Sequence, residues 1–198
     1  MKYVDQSFAV AVAVFSLGAL TGGFLVLILS PMQGIIISLL QTRVITPVRT
    51  VSRFGSGALL LLVFLNNSIP PLLSFAYPFV IARLNWTPPL TKRRRCVLLT
   101  SFTVLSAFLI GFFGLGATLS MGWILGGQEL LFNLLKGAWV HGPIELTAIL
   151  LCASEPLRIA EQESPTDLKS SLLHDGKLLA ICLFILMLSA GIEVFVGV

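Results

Sequence analysis

The sequence predicts an all-α fold, a polytopic transmembrane helical bundle of about five spans with interfacial or re-entrant short helices between them. Three observations carry this. Of the 198 residues 56% are hydrophobic and only 11% charged, where a soluble domain carries roughly 25% charge. The mean hydropathy is +0.96. The apolar runs are continuous rather than alternating, which excludes a β-barrel and leaves helices, whose backbone groups are satisfied internally, as the spanning elements. Run lengths place a single transmembrane domain over 1–198, with spans at about 8–29, 59–83, 97–119, 143–158 and 177–196.

The first span follows a short start carrying Lys2 and Asp5, and at 22 residues it exceeds a signal-peptide core. No small-residue cleavage site follows it, so it is expected to be retained. Gly18 and Gly22 form a GxxxG pair, with Thr21 and Gly23 beside them, which permits close approach of another helix. From Ser30 to Ser56 the chain is mixed. Pro31, Pro47, Arg43, Arg49 and Arg53 interrupt short apolar stretches, and Ile35–Leu40 is too short to cross. The TRVITPVRTVSRF pattern fits an interfacial amphipathic helix with snorkelling arginines.

In the second apolar region Asn66 and Asn67 are followed four residues later by Pro70 and Pro71. In a continuous helix each proline removes the bond to the carbonyl four back, freeing the carbonyls of both asparagines. Alternatively the spanning helix starts here with Ser68 as N-cap, after a re-entrant or interfacial piece. The block Lys92, Arg93, Arg94, Arg95 at the next boundary lacks the aromatic interleaving of a nucleic-acid surface, so no nucleic-acid partner is expected. It reads as a topology signal and an attraction for anionic headgroups among the membrane lipids.

The third span carries the small residues Ala107, Gly111, Gly114 and Gly116, suited to tight packing. A loop with Gly122, Gly126, Gly127, Gln128 and Glu129 is expected to lead into a short helix, Leu130–Val140, interrupted by Lys136. The acidic connection Glu161–Asp175, with Pro165 and an ordinary His174, reads as a solvated loop before the fifth span, which carries Glu193 near its end.

The stretch Trp139–Ala160 holds the chemistry around which the chain is organised, because His141 and Glu145 interrupt an otherwise apolar run. Gly142 and Pro143 mark a helix start, proline favouring the first turn. Glu145 then lies where a carboxylate meets free N–H groups, and capping is one role for it. The other follows from spacing: residues four apart share a helix face and can address one ion or water.

Nine cations (Lys2, Arg83, Lys92, Arg93, Arg94, Arg95, Arg158, Lys169, Lys177) fall on the side of the N-terminus, against Arg43, Arg49, Arg53 and Lys136 on the other. The N-terminus is therefore expected in the cytoplasm and the C-terminus outside, in a multi-pass protein of the cell membrane. Counting up from the cytoplasmic ends puts Glu193 and Asn67 at roughly 24 Å and Glu145 at roughly 20 Å. The expected polar intramembrane site comprises Asn66, Asn67, His141, Glu145 and Glu193. A charged group at mid-bilayer costs about 2.5–3.5 kcal/mol on insertion scales, which asks for a function. His141, Glu145 and Glu193 supply imidazole and carboxylates, ligands that a divalent metal such as zinc accepts.

Enzymatic signatures are missing, and no catalytic residue is assigned. HGPIE offers one histidine and one glutamate, not the two histidines of HExxH. Cys96, Cys152 and Cys182 lack CxxC spacing and read as small buried residues.

The VFLNN pattern of the second span, HGPIELTAILLCASEPLRIA of the fourth and SAGIEVFVGV at the end resemble the stage II sporulation protein M family of multi-span membrane proteins. The resemblance covers most of the chain in hydropathy order. It implies a compact bundle of about five helices in which Asn66, Asn67, His141, Gly142, Glu145 and Glu193 match the family's polar motif positions. In spore formers such proteins anchor cell-wall hydrolases during engulfment, and the family extends to organisms that do not sporulate. The prolines after LNN depart from its pattern.

Two functional classes follow. As a scaffold, the protein oligomerises with itself, a dimer being favoured, and recruits a membrane or cell-envelope protein partner. The short chain, with no evident inverted repeat, favours that class. As the alternative, a broken second span and the carboxylates form a conduit for an ion, a proton or a small polar solute.

Overall fold

A computed structural model describes residues 2–83, 91–139, 141–161 and 167–195 of the chain. Helices form from apolar residues whose backbone has no other partner in lipid. Helix α1 spans Lys2–Ile28. After a break at Leu29, α2 (Ser30–Leu40), a π-helical segment (Gln41–Ile45), α3 (Thr46–Val51) and a 3-10 turn (Ser52–Phe54) run on to Gly55. Then come α4 (Ser56–Arg83), α5 (Lys92–Leu109), a second π-helical segment (Ile110–Ala117), α6 (Thr118–Trp139), α7 (Gly142–Glu161) and α8 (Asp167–Phe195).

Among the described residues four stretches are long and apolar enough to cross a membrane: Gln6–Ile28, Ser56–Pro78, Lys92–Trp139 and Gly176–Phe195. Helix α7 falls short of that measure because it carries Glu145, Glu155, Arg158 and Glu161. It is nevertheless the hub, packed against α1, α4, α5 and α8. One core joins its Ala148, Ile149 and Cys152 to Cys182 and Leu186 of α8. A second joins its Leu150 to Ala11, Phe15 and Ala107. A third joins Ile159 and Ala160 to Ile81 and Leu99. The helix that carries Glu145 and the Glu155–Arg158 pair is thus packed on several sides.

Helix α1 packs on the second π segment along a seam of glycines. A methyl group at Gly18 would collide with the carbonyl of Phe108, one at Gly22 with that of Phe112, and methyls at Gly111 and Gly116 with the carbonyls of Phe15 and Ala19. Residues five apart diverge on an α-helix, whereas π-helical bonds run from i to i+5 and hold Gly111 and Gly116 on the α1 side. Ser120 ties the end of the seam by donating to the carbonyl of Gly23 at 3.1 Å. Gly114 lies outside the seam, with open space where a side chain would stand.

Several expectations change here. The second apolar region is one helix, continuous through Pro70, Pro71 and Pro78. Ser68 is no N-cap: it is buried and donates back to the carbonyl of Phe64 at 2.7 Å. The expected glycine loop is helical as far as Gly126 and breaks only at Gly127, whose φ of 60° and ψ of −149° belong to glycine alone. Beyond the break the chain doubles back. Gly122 makes room for Leu134 and Gly126 for Leu130, pairings whose residue numbers converge as in an antiparallel helical hairpin. Within the expected acidic loop, residues 167–175 are helical and begin α8. That run contains no proline and four leucine or lysine residues, all good helix formers. The remainder of that loop from 162 to 166, the connection at 84–90, and Val196 at the expected end of the fifth span lie outside the described residues.

The seam predicts an asymmetry between neighbouring glycines. Gly111→Leu should destabilise the protein by at least the ~1–3 kcal/mol of core overpacking, and Gly114→Ala should stay within about 0.5 kcal/mol of wild type. Reversible unfolding in mixed detergent micelles reads both, and equal effects would contradict the seam.

Candidate functional site

The site grows from the start of α7. Pro143 has no N–H to leave unsatisfied in the first turn, and the carbonyl of His141 accepts the N–H groups of Ile144 at 3.1 Å and Glu145 at 3.0 Å. This anchors His141 at the helix entrance with its ring buried, the residue 9% exposed. Its Nε2 lies 3.9 Å from Oε2 of Glu193 on α8, and its Nδ1 is buried with no hydrogen-bond partner among the described residues.

Glu145 lies one turn further along the same helix. Its Oε1 accepts a 3.0 Å hydrogen bond from Nδ2 of Asn67 on α4, so the carboxylate reaches across to a neighbouring helix instead of capping its own. Beside it sits the hydroxyl of Ser189 on α8, itself 2% exposed and otherwise unpartnered among the described residues. One donor atom each from His141, Glu145 and Glu193 can be chosen so that all lie within 4.8 Å of one another. Three helices, α4, α7 and α8, thus meet at one polar point.

Asn66 is the exception among the expected site residues. Successive helical residues point about 100° apart, and Asn66 is exposed. Among the described residues its Nδ2 hydrogen-bonds only to Oδ1 of Asn67, at 3.5 Å. The two asparagines share a further property, since Pro70 and Pro71 deprive their carbonyls of helical donors.

The cluster is partly open to its surroundings at Glu193, whose side chain is 40% exposed. Two carboxylates and an imidazole this close repel unless a proton or a cation lies between them. Zinc–ligand bonds of about 2.0–2.2 Å at a tetrahedral centre put donor atoms about 3.4 Å apart. The His141–Glu193 separation of 3.9 Å and the 4.8 Å spread of the three-donor set are both wider than this, so the side chains would have to draw together to hold such an ion. Ser189 and the orphan Nδ1 would complete the surroundings through water.

Two participants escaped the reading of the sequence. Ser189 precedes Glu193 by four residues and so shares its helix face, a spacing that could have revealed it. Glu155, ten residues after Glu145, is 5% exposed. It accepts Nη2 of Arg158 at 2.8 Å and Nε at 2.9 Å, a buried ion pair at the opposite end of α7. The EPLR spacing was its signal.

Comparison with protein-family models, with curated proteins and with solved structures finds no match to this chain.

Removing the Asn67 donor leaves the Glu145 acceptor unsatisfied, and Asn67→Ala should cost ~1–3 kcal/mol. A double-mutant cycle with Glu145→Gln should then show a coupling of at least ~0.5 kcal/mol, and strict additivity would contradict the bond. At the far end of α7, Arg158→Ala strands a buried carboxylate and should cost ~3–5 kcal/mol, while Glu155→Leu combined with Arg158→Met restores most of that.

Proposed function

We propose that this protein is a multi-pass membrane protein that binds a cation, a proton or a divalent metal such as zinc, at His141, Glu145 and Glu193, and conducts it. The observation that carries this reading is the convergence of those three donors within 4.8 Å on two different helices. Ionisable groups inside a membrane domain are expensive and face a pathway or a partner. Here the partners are other polar groups, Asn67 and Ser189, and an opening beside Glu193.

In this reading α7 is a fifth crossing, its charges shielded by the four helices around it, and the hairpin folded at Gly127 is a re-entrant element. The N-terminus is cytoplasmic, which puts the cluster in the outer half of the bilayer. The proline-freed carbonyls of Asn66 and Asn67 supply further oxygens, as in the broken helices of transporters.

A membrane scaffold, as the resemblance to the stage II sporulation protein M family implies, is the second reading. The glycine face of α1 cannot serve it, being buried against the second π segment of the same chain. A self-association surface would lie elsewhere, for example in the groove between α1 and α6 bordered by Thr21, Phe24, Leu27 and Leu119.

Reconstitution in liposomes separates the two. Zinc uptake, read with an entrapped zinc dye, and proton flux, read with an entrapped pH dye, should include one that falls roughly 10- to 100-fold in Glu145→Gln and in Glu193→Gln. Absence of both fluxes, with unaltered self-association and partner capture in both variants, would replace the conduit by the scaffold.

A further inference from the structure

Next to the His141 cluster, and sharing Asn67 with it, three irregular stretches of helix border one cleft of about 760 Å³. Arg43 and Val44 come from the first π segment, Phe113 and Gly114 from the second, and Asn66 and Asn67 from the turn of α4 whose carbonyls the prolines free. π-Helical turns are rare and concentrate at functional positions, so two of them on one cleft point to a ligand.

The lining is amphipathic. Apolar surface from α2 and the second π segment makes up most of the wall, and the Arg43 guanidinium and the asparagine amides supply the polar end. Arg43 has no ion pair or hydrogen bond among the described residues. The asparagine amides cannot neutralise it, and no acidic residue lines the cleft among the described residues. At Gly114 the cleft is left open, with nothing within 4 Å of an added side chain. An unpaired cation at the head of an apolar slot complements a molecule with an anionic head and hydrocarbon tails.

We propose that this cleft is a specific binding site for an anionic phospholipid. The phosphate accepts from the guanidinium of Arg43 and from Nδ2 of Asn66, and an acyl chain lies along Leu39, Phe113 and the space over Gly114. Arg forks match phosphate oxygens in pairs, which distinguishes this site from general attraction to a basic surface. The cleft borders the cation cluster through Asn67, which lines it and also donates to Glu145, but its anchoring groups for a headgroup, Arg43 and Asn66, lie outside the His141, Glu145 and Glu193 set.

The test is native mass spectrometry of the full chain released from micelles supplemented with phosphatidylglycerol or phosphatidylcholine. Wild type should retain one phosphatidylglycerol in preference to phosphatidylcholine. Arg43→Gln should reduce that retention roughly fivefold, while Arg49→Gln and Arg53→Gln, on the same surface segment but outside the cleft, leave it within about twofold. Gly114→Leu, which fills the open space, should abolish it with the unfolding midpoint kept. Equal losses in all three arginine variants, or undiminished retention in Gly114→Leu, would overturn the proposal. So would displacement of the lipid by inorganic phosphate alone, which would make the ligand a free anion. Retention unchanged in Glu145→Gln is expected, and its loss there would fold this cleft into the cation site and overturn it as a separate lipid site.

Discussion

A charge packed among apolar helices has to be answered by other protein groups, and in this chain one helix sets that requirement. Helix α7 carries Glu145 near one end and the Glu155–Arg158 pair near the other. Left against lipid, each would cost several kcal/mol. Packed between α1, α4, α5 and α8, it meets Asn67 and Ser189 on its neighbours, and Arg158 within itself.

What holds α1 against this hub is steric rather than polar. The glycines of α1 and of the second π segment bring the backbones together so closely that no Cβ fits at Gly18, Gly22, Gly111 or Gly116. Close backbone approach supplies van der Waals contact in place of the missing hydrophobic effect. The same π segment turns Phe113 and Gly114 away from the seam and toward the cleft beneath Arg43. One helical irregularity therefore serves packing on one side and leaves a cavity on the other.

Helical class was legible from hydropathy, since the length and continuity of apolar runs determine backbone satisfaction in lipid. Much of the site was legible too: His141, Glu145, Asn67 and Glu193 stand out as polar residues in apolar runs, and geometry brings the four together. Asn66 was chosen with Asn67 because the two are adjacent, yet adjacency on a helix separates side chains. Helix ends were harder to read. Pro70 and Pro71 look like a break, but Ser68 bonding back to Phe64 and the burial of Pro71 keep α4 continuous. Gly122 and Gly126 look like a loop, but their small size serves the hairpin contacts of Leu134 and Leu130. Such outcomes depend on partners distant in sequence. Neither π segment has a sequence signature that local propensity could reveal, and Glu155 passed unnoticed because its counterion is three residues away and reads as a surface pair.

The proposed cation site requires α4, α7 and α8 to deliver Asn67, Glu145, His141 and Glu193 to one point. Cysteine cross-linking in native membranes tests this most directly, with Cys96, Cys152 and Cys182 first replaced by alanine. The pairs Asn67→Cys with Glu145→Cys, and His141→Cys with Glu193→Cys, should join rapidly with the shortest bifunctional thiosulfonate, and Leu65→Cys with Glu145→Cys should not. Failure of both polar pairs, or equal joining of the Leu65 control, would mean that these side chains do not share a site.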